Sequence, residues 1–211
     1  MKRITVFGAT GGTGKHLVEQ ALTSGNEVVA YVRDPSKLGI VHEHLSIVQG
    51  ELSDAALIER AVSGADAVIS VLGPRGGSKN KPLTEGMQNI IAAMKKQGVR
   101  RLIITSTLSA KDPNDMPEFK ARVLVGLVKL TMNATYEEIV SVAEAVRASD
   151  LDWTIVRLTM LNNKPKSGKV RAGYLGRGEV GTWISRADIA DFMLSQIEDV
   201  KYMRQAPAIS N

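Results

Sequence analysis

Gly8-Ala9-Thr10-Gly11-Gly12-Thr13-Gly14 decides the fold, because of what lies on either side of it. Before it, Ile4-Thr5-Val6-Phe7 is a short run of β-branched and aromatic residues. After it, Leu17, Val18, Ala21 and Leu22 recur at helical spacing. A strand that turns into a helix through such a loop makes a phosphate cradle. Gly8 permits the tight turn, Gly11 lets the backbone approach a pyrophosphate, and Gly14 lets the helix pack on the sheet. The free N–H groups of the first helical turn, Gly12 among them, face the phosphates, and Thr10 and Thr13 add hydroxyl donors. The spacing is GxxGxxG, and its strand-before, helix-after context is the one a dinucleotide loop requires. A nucleoside-triphosphate loop is excluded, since Lys15 is followed by His16 where Ser or Thr is needed.

Working outward, apolar runs alternate with helical patterns along the chain. Glu27 to Val32, His44 to Val48, Ala67 to Leu72, Leu102 to Thr105 and Trp153 to Val156 read as further strands. Asp54 and Ser185 are helix caps, and Gly25, Gly64 and Gly98 are stops. Leu83, Met87, Ile90, Ile91 and Met94 mark one helix face, and Ile189, Phe192, Met193 and Ile197 another. Continuous apolar strands are buried on both faces, and their alternation with helices implies right-handed crossovers. The expected class is α/β: a Rossmann-type, doubly wound, mostly parallel sheet with helices on both faces, as a single domain over residues 1–211. The weakest stretches as regular structure are Gly73 to Lys81, Lys111 to Pro117 and Asn162 to Gly181. These loops follow strands four, five and six, on the edge where open α/β sheets bind ligands, so the substrate site is expected there.

Composition narrows the chemistry. The chain of 211 residues is 44% hydrophobic, enough to bury a core, and has no cysteine, so it holds no disulfide, thiolate nucleophile or Cys-ligated metal. Its histidines, His16, His42 and His44, stand at no metal-ligand spacing such as HExxH. No apolar stretch approaches the ~20 residues of a membrane span, and the expected location is the cytoplasm. The net charge of +5 comes from scattered basic residues with no aromatic-interleaved motif, which argues against a nucleic-acid partner. A small molecule is the expected partner.

The choice of nucleotide depends on the end of the second strand. An acidic residue there bonds ribose hydroxyls, whereas an arginine meets a 2′-phosphate. Val32-Arg33-Asp34 carries both chemistries. Arg33 comes first and a guanidinium pairs bidentately with phosphate, with Lys37 near enough to assist, so NADP(H) is favoured over NAD(H).

The ordered set of segments resembles the atypical short-chain dehydrogenase/reductase superfamily, in its NmrA-like NAD(P)-binding branch, close to the flavin reductases of the biliverdin reductase B type. The segments are Phe7 to Gly14, Tyr31 to Asp34, Asp66 to Gly73, Glu85 to Lys95, Gly176 to Gly178 and Ile184 to Leu194. Ser149 to Arg157 is similar to bacterial relatives, in which Pro follows the Arg; Leu158 stands here, so the following loop is expected to take another path. The resemblance implies NADP(H) bound across the carboxyl ends of the strands. Gly8, Thr10, Gly11, Thr13 and Gly14 would hold the pyrophosphate, and Arg33 the 2′-phosphate. Leu72 and Gly73 would border the adenosine, and Thr105 and Ser106 the nicotinamide. Glu51 and Leu52 occupy the place beside the adenine, with Glu51 where the family has Asp.

The Tyr-x-x-x-Lys pair that protonates a substrate oxygen in many such enzymes is missing. Four residues after Tyr31, Tyr136, Tyr174 and Tyr202 stand Pro35, Val140, Gly178 and Ala206. Hydride transfer to a flavin or quinone needs less from the protein, because the acceptor is already an electron sink. Ser106, at the end of strand five, is the catalytic candidate, able to bond the nicotinamide amide or the acceptor; a strand-end serine satisfied by backbone is the competing reading. Arg75 reads more readily as a solvated loop residue than as a substrate contact. Met160 stands where the flavin reductases carry an active-site histidine, so tetrapyrrole specificity is not carried over. Phe119 to Met132 reads as a flap over the acceptor pocket, a dimer contact or, as periodicity favours, a core helix. Trp153 is expected in the core and Trp183 at the pocket mouth. Two functions stay open: an NADPH-dependent reductase of planar acceptors, and a non-catalytic NADP(H) sensor with a protein partner. The oligomeric state is expected to be a monomer or a weak homodimer.

Overall fold

A computed structural model describes residues 1–74 and 81–211, apart from the side chains of residues 120–122 and 124. The chain runs β1 (Arg3–Phe7), α1 (Gly12–Thr23), β2 (Glu27–Val32), β3 (Leu45–Gln49), α2 (Ala55–Val62), β4 (Ala67–Ser70) and α3 (Pro82–Lys96). It continues through β5 (Arg101–Thr107), α4 (Phe119–Thr131), α5 (Asn133–Arg147), β6 (Asp152–Leu158) and β7 (Met160–Asn162). β8 (Arg171–Gly173), β9 (Trp183–Ser185), α6 (Arg186–Ser195) and β10 (Ala208–Ser210) complete it. An 8-stranded sheet has the order β3-β2-β1-β4-β5-β6-β10-β8, parallel except where β8 meets β10. β7 and β9 form a separate parallel pair.

Strand alternation divides the core into two layers. Ile4 and Val6 pack with Leu17 and Val18 of α1 and with Ile189 and Met193 of α6 on one face. Phe7, Val29 and Tyr31 pack with Ile58 of α2 and with Met87 and Ile90 of α3 on the other. The caps fall where the sequence puts them: the Asp54 carboxylate accepts from Leu57 N at 3.0 Å, and Ser185 Oγ accepts from Asp188 N at 3.0 Å.

The structure departs from the sequence reading in places. The stretch from Asn162 to Gly181 is not all loop, since it contains β8, and β10 closes the sheet beside β6. Both are 3-residue strands whose place is fixed by their partners, too short for a periodic signal. The core-helix reading of Phe119 to Met132 is also corrected. The segment is helical, but Phe119 and Leu130 are 81% and 83% exposed, and Val123, Leu127 and Met132 are exposed as well. Leu158, where the resembling sequences have Pro, stays in the ladder opposite Thr107, and β7 follows almost at once. Trp153 is buried, as expected.

Two constraints shape the carboxyl edge. The chain winds outward from β1 to β3 and then returns to β4 beside β1, which makes the crevice of a doubly wound sheet. There Gly8 takes φ +86°, and a Cβ on it would stand 3.0 Å from the Val71 carbonyl carbon. A Cβ on Gly14 would collide with the Gly8 carbonyl oxygen. The second constraint is a buried fork. Arg157 of β6, fully buried, donates through Nη1 and Nη2 to Asp115 at 2.6 and 2.7 Å and through Nε to the Ala206 carbonyl at 2.5 Å. Asp115 also accepts from Leu175 N at 3.0 Å, so one carboxylate joins the loop after β5 to β6 and to the segment after β8.

Alanine for glycine inside a helix ordinarily stabilises by about 1 kcal/mol. At Gly14 the sign is expected to reverse, with a loss of about 1–3 kcal/mol from overpacking. Urea denaturation reads this, and a variant at least as stable as the wild type would contradict the close approach. Burial raises the Asp115 carboxyl, but hydrogen bonds from Arg157 and from the Asp112 N–H outweigh it and hold the group below the usual carboxylate range. The native value thus lies under the unfolded one of about 3.9. Its stabilising contribution is complete above about pH 4 and fades as pH falls through the native value. Asp115→Asn leaves Arg157 buried without a counter-charge, at an expected cost of about 3–5 kcal/mol at pH 7. In melts from pH 3 to 7 the gap between variant and wild type should narrow at the acid end; a constant gap would rule the charge out as its source.

Candidate functional site

The carboxyl edge carries two clefts of unlike chemistry. The first, of about 510 Å³, lies at the crevice beside β1 and β4. Gly8, Thr10, Gly11, Arg33, Glu51, Leu52, Leu72 and Gly73 all line it. These are expected cofactor residues from four separate loops, brought together at one place. Gly12, Thr13 and Gly14 form the first turn of α1, and Gly11 N donates to the Gly8 carbonyl at 3.0 Å, closing the loop on itself. Thr105 and Ser106 stand half-buried on β5, between Ile104, the last residue paired with β4, and Thr107. Neither lines the first cleft, nor the second. Arg75 lies outside the described residues.

At the end of β2 the adjacent opposite charges part company. The Asp34 carboxylate accepts from Ser36 N at 3.1 Å and Ser36 Oγ at 2.6 Å, capping the short turn Pro35–Lys37. Those Ser36 bonds, and then Lys37 with its Nζ 3.1 Å from Asp34 Oδ2, hold the carboxyl below its ordinary range. Lys37 therefore turns to Asp34 and does not line the cleft, whereas Arg33 does. Opposite, Tyr31 OH donates to the Glu51 carbonyl at 2.7 Å. Burial, then the charges of Asp54 and Glu51, push the Tyr31 phenol up to about 12, so it stays protonated and fixes the Glu51 backbone.

Sequence reasoning missed part of this cleft. Glu138 of α5 lines it, buried, with Oε1 accepting from Leu83 N at 2.7 Å at the start of α3. Gly86 admits Leu52, whose Cβ would stand 2.7 Å from a Cβ there. No local pattern announces either residue, because each answers to a partner distant in sequence.

The second cleft, of about 380 Å³, lies beyond the ends of β5 and β6. Its walls are mainly aliphatic: Leu108, Val125, Val128, Ile139, Leu158 and Val180. The hydroxyl residues Thr107, Ser109, Thr135, Thr159 and Thr182 interrupt them, and Met160 is on the lining. Glu118 also lines it, its carboxylate accepting from Gly176 N at 3.3 Å. Trp183 is half-exposed on β9, next to the lining residue Thr182 but not itself on the lining. Val125 and Val128 bring α4 to this cleft, so one side of that helix forms a wall while its apolar opposite side is open.

The tyrosine hydroxyls are largely committed. Besides Tyr31, Tyr174 OH donates to Gln205 and Tyr202 OH donates to the Ala172 carbonyl at 3.0 Å. Tyr136 lies on α5 with Lys129 Nζ 5.6 Å from its ring centroid, a cation over the ring face.

A family model described as NAD(P)H-binding matches residues 8–200. The chain is 31% identical over 180 residues to an uncharacterized chloroplastic protein of Arabidopsis thaliana, covering 80% of this chain and 62% of that one. It is 28% identical over 215 residues to a (4-alkanoyl-5-oxo-2,5-dihydrofuran-3-yl)methyl phosphate reductase of Streptomyces griseus, covering 98% and 67%. It thus spans about two thirds of the length of these curated relatives. Among solved structures, a short-chain dehydrogenase/reductase of Veillonella parvula superposes with a TM-score of 0.82 at 20% identity, over 100% of this chain and 94% of that one. A structure from the same organism in complex with NADP gives 0.78 at 21%, again over 100% and 94%. An anaerobillin reductase of Escherichia coli O157:H7 gives 0.73 at 20%, over 98% and 96%. These superpositions show the fold, the architecture of the short-chain dehydrogenases/reductases, and the match over residues 8–200 places the chain in the NAD(P)H-binding family.

Proposed function

We propose that this protein is an NADPH-dependent reductase that passes a hydride to a neutral planar acceptor of the flavin or quinone class, without a Tyr/Lys acid–base pair. The observation that carries this reading is the pairing of two unlike clefts on one sheet edge, with Thr105 and Ser106 on β5, the strand whose last residue, Thr107, lines the second. The first cleft fits a dinucleotide. Its loop has the positive-φ Gly8 and the crowded Gly14, and its rim has Arg33 with no acidic group taking it up among the described residues. Bound NADPH would supply the hydride. What the protein contributes is placement: Gly8 to Gly14 hold the diphosphate, Arg33 forks onto the 2′-phosphate, and Ser106 orients the nicotinamide amide or the acceptor. The aliphatic walls of the second cleft exclude water and stack a flat ring, while its hydroxyls bond carbonyl or ring-nitrogen edges. The Glu118 carboxylate disfavours an anionic acceptor.

A second reading, a non-catalytic NADP(H) sensor with a protein partner, is favoured by the exposed stripe Phe119, Val123, Leu127 and Leu130 on α4. NADPH oxidation followed by absorbance with riboflavin, FMN and simple quinones separates the two. Turnover with quinones and riboflavin is expected, faster than with phosphate-bearing FMN. Tight NADPH binding with no turnover on any acceptor would move the assignment to the sensor. Arg33→Ala is expected to weaken NADPH binding about 10- to 100-fold, the worth of a charge-assisted pair, and to leave NADH unchanged. Equal losses for both cofactors would remove Arg33 from the 2′-phosphate.

A further inference from the structure

Gly12 is the loop glycine that the dinucleotide turn does not explain. It has no positive φ, it opens α1, and it is exposed. A Cβ placed on it would stand 2.9 Å from Cδ and 3.0 Å from Nε of Arg186. Arg186 is the first residue of α6, more than 170 positions away in sequence, yet its side chain lies across the first turn of α1. A side chain on Gly12 would have to share that space with the arginine.

Among the described residues the guanidinium has one hydrogen-bond partner. Nη1 donates to Asn163 Oδ1 at 2.5 Å, just after β7. The loop that carries Asn163 is fastened through the buried Asp188, which accepts from Ser167 N and Gly168 N at 2.9 Å. Asn163 takes one of the five guanidinium donors. Among the described residues Arg186 forms no ion pair, and residues 75–80 contain no acid. Arg186 is not on the lining of the first cleft, but its side chain lies beside the first turn of α1, whose N-terminal end favours an anion.

We infer that Arg186 binds the diphosphate of the dinucleotide from the α6 side, closing a clamp whose other jaw is the glycine loop. The inference rests on the cofactor reading above and adds a residue from the far half of the chain to it. The diphosphate is common to NADPH and NADH, so Arg186 acts on both, unlike Arg33. It also makes cofactor binding join α1 and α6, two helices on one face of the sheet.

The test is a fluorescence titration of the full chain with NADPH and with NADH, at several salt concentrations. Arg186→Met keeps the packing length and removes the charge. It is expected to weaken both cofactors by the same factor, about 10- to 100-fold, and to make the dependence of log Kd on log salt shallower. Arg186→Lys should recover part of the loss. Unchanged affinity in Arg186→Met, or a loss confined to NADPH, would overturn the inference while leaving the cofactor reading intact. Wild-type protein that binds neither cofactor would overturn both. Should Arg186→Met fail to fold in a thermal melt, Asn163→Ala keeps the charge and frees its orientation. That variant is expected to weaken both cofactors to a lesser, equal degree, and unchanged affinity there would again overturn the clamp.

Discussion

The first turn of α1 can begin only where the backbone of residue 14 meets that of residue 8. No side chain fits at residue 14, since its Cβ would collide with the Gly8 carbonyl oxygen, and Gly8 must itself adopt φ +86° to point that carbonyl inward. The contact sets the distance between β1 and α1, and so the depth at which Leu17 and Val18 enter the core against Ile4 and Val6. It also brings the start of α1, through Thr10 and Gly11, to the crevice between β1 and β4. Fold and binding edge have one origin here. A loop that allows close helix–sheet packing necessarily leaves backbone donors unpaired at the place where the sheet order reverses.

The same locality explains how much the sequence discloses. The contact of Gly14 with Gly8 is legible because it lies within one short loop, and strands such as Ala67–Ser70 are legible because burial on both faces leaves a continuous apolar run. The two short strands beyond β6 are not. Arg171–Gly173 and Ala208–Ser210 exist because β6 offers Ala208 a partner and Ala208 in turn offers one to Gly173. The second cleft draws Ser109, Val128, Thr159 and Thr182 from separate segments, and no spacing rule connects them. α4 shows the limit of periodicity. The spacing of Phe119, Val123, Leu127 and Leu130 defines a face, but what covers that face is a tertiary fact, and here they are exposed.

Arg33 and Asp34 show a different limit. Neighbours in sequence with opposite charges support opposite cofactor preferences, and residue type alone does not choose between them. The turn that follows decides which of the two charges is already engaged: Pro35 sets up a short turn whose orphan N–H, at Ser36, needs an acceptor, and Asp34 supplies it. A carboxylate already bonded to Ser36 and paired with Lys37 has less to offer ribose hydroxyls. The arginine is left facing the cleft, which is a consequence of helix-capping chemistry rather than of any cofactor.

Asp115 and Asp188 solve a common problem on either flank of the edge. Loops that follow strands carry N–H groups with no ladder partner, and a buried orphan donor costs about 1–3 kcal/mol. Each carboxylate gathers such donors: Asp115 from Leu175 N and the Arg157 fork, Asp188 from Ser167 N, Gly168 N, Ser185 Oγ and the Asn211 amide. Asparagine could not replace either, because its amide would aim donors at donors. An acceptor-only group is what these positions require, and ionisation provides it at the cost of desolvation. Their hydrogen bonds hold both carboxyls below the ordinary range against burial, which acts in the opposite direction at each. The loops that follow β5 and β7 are therefore anchored at their roots by carboxylates, one partly and one fully buried.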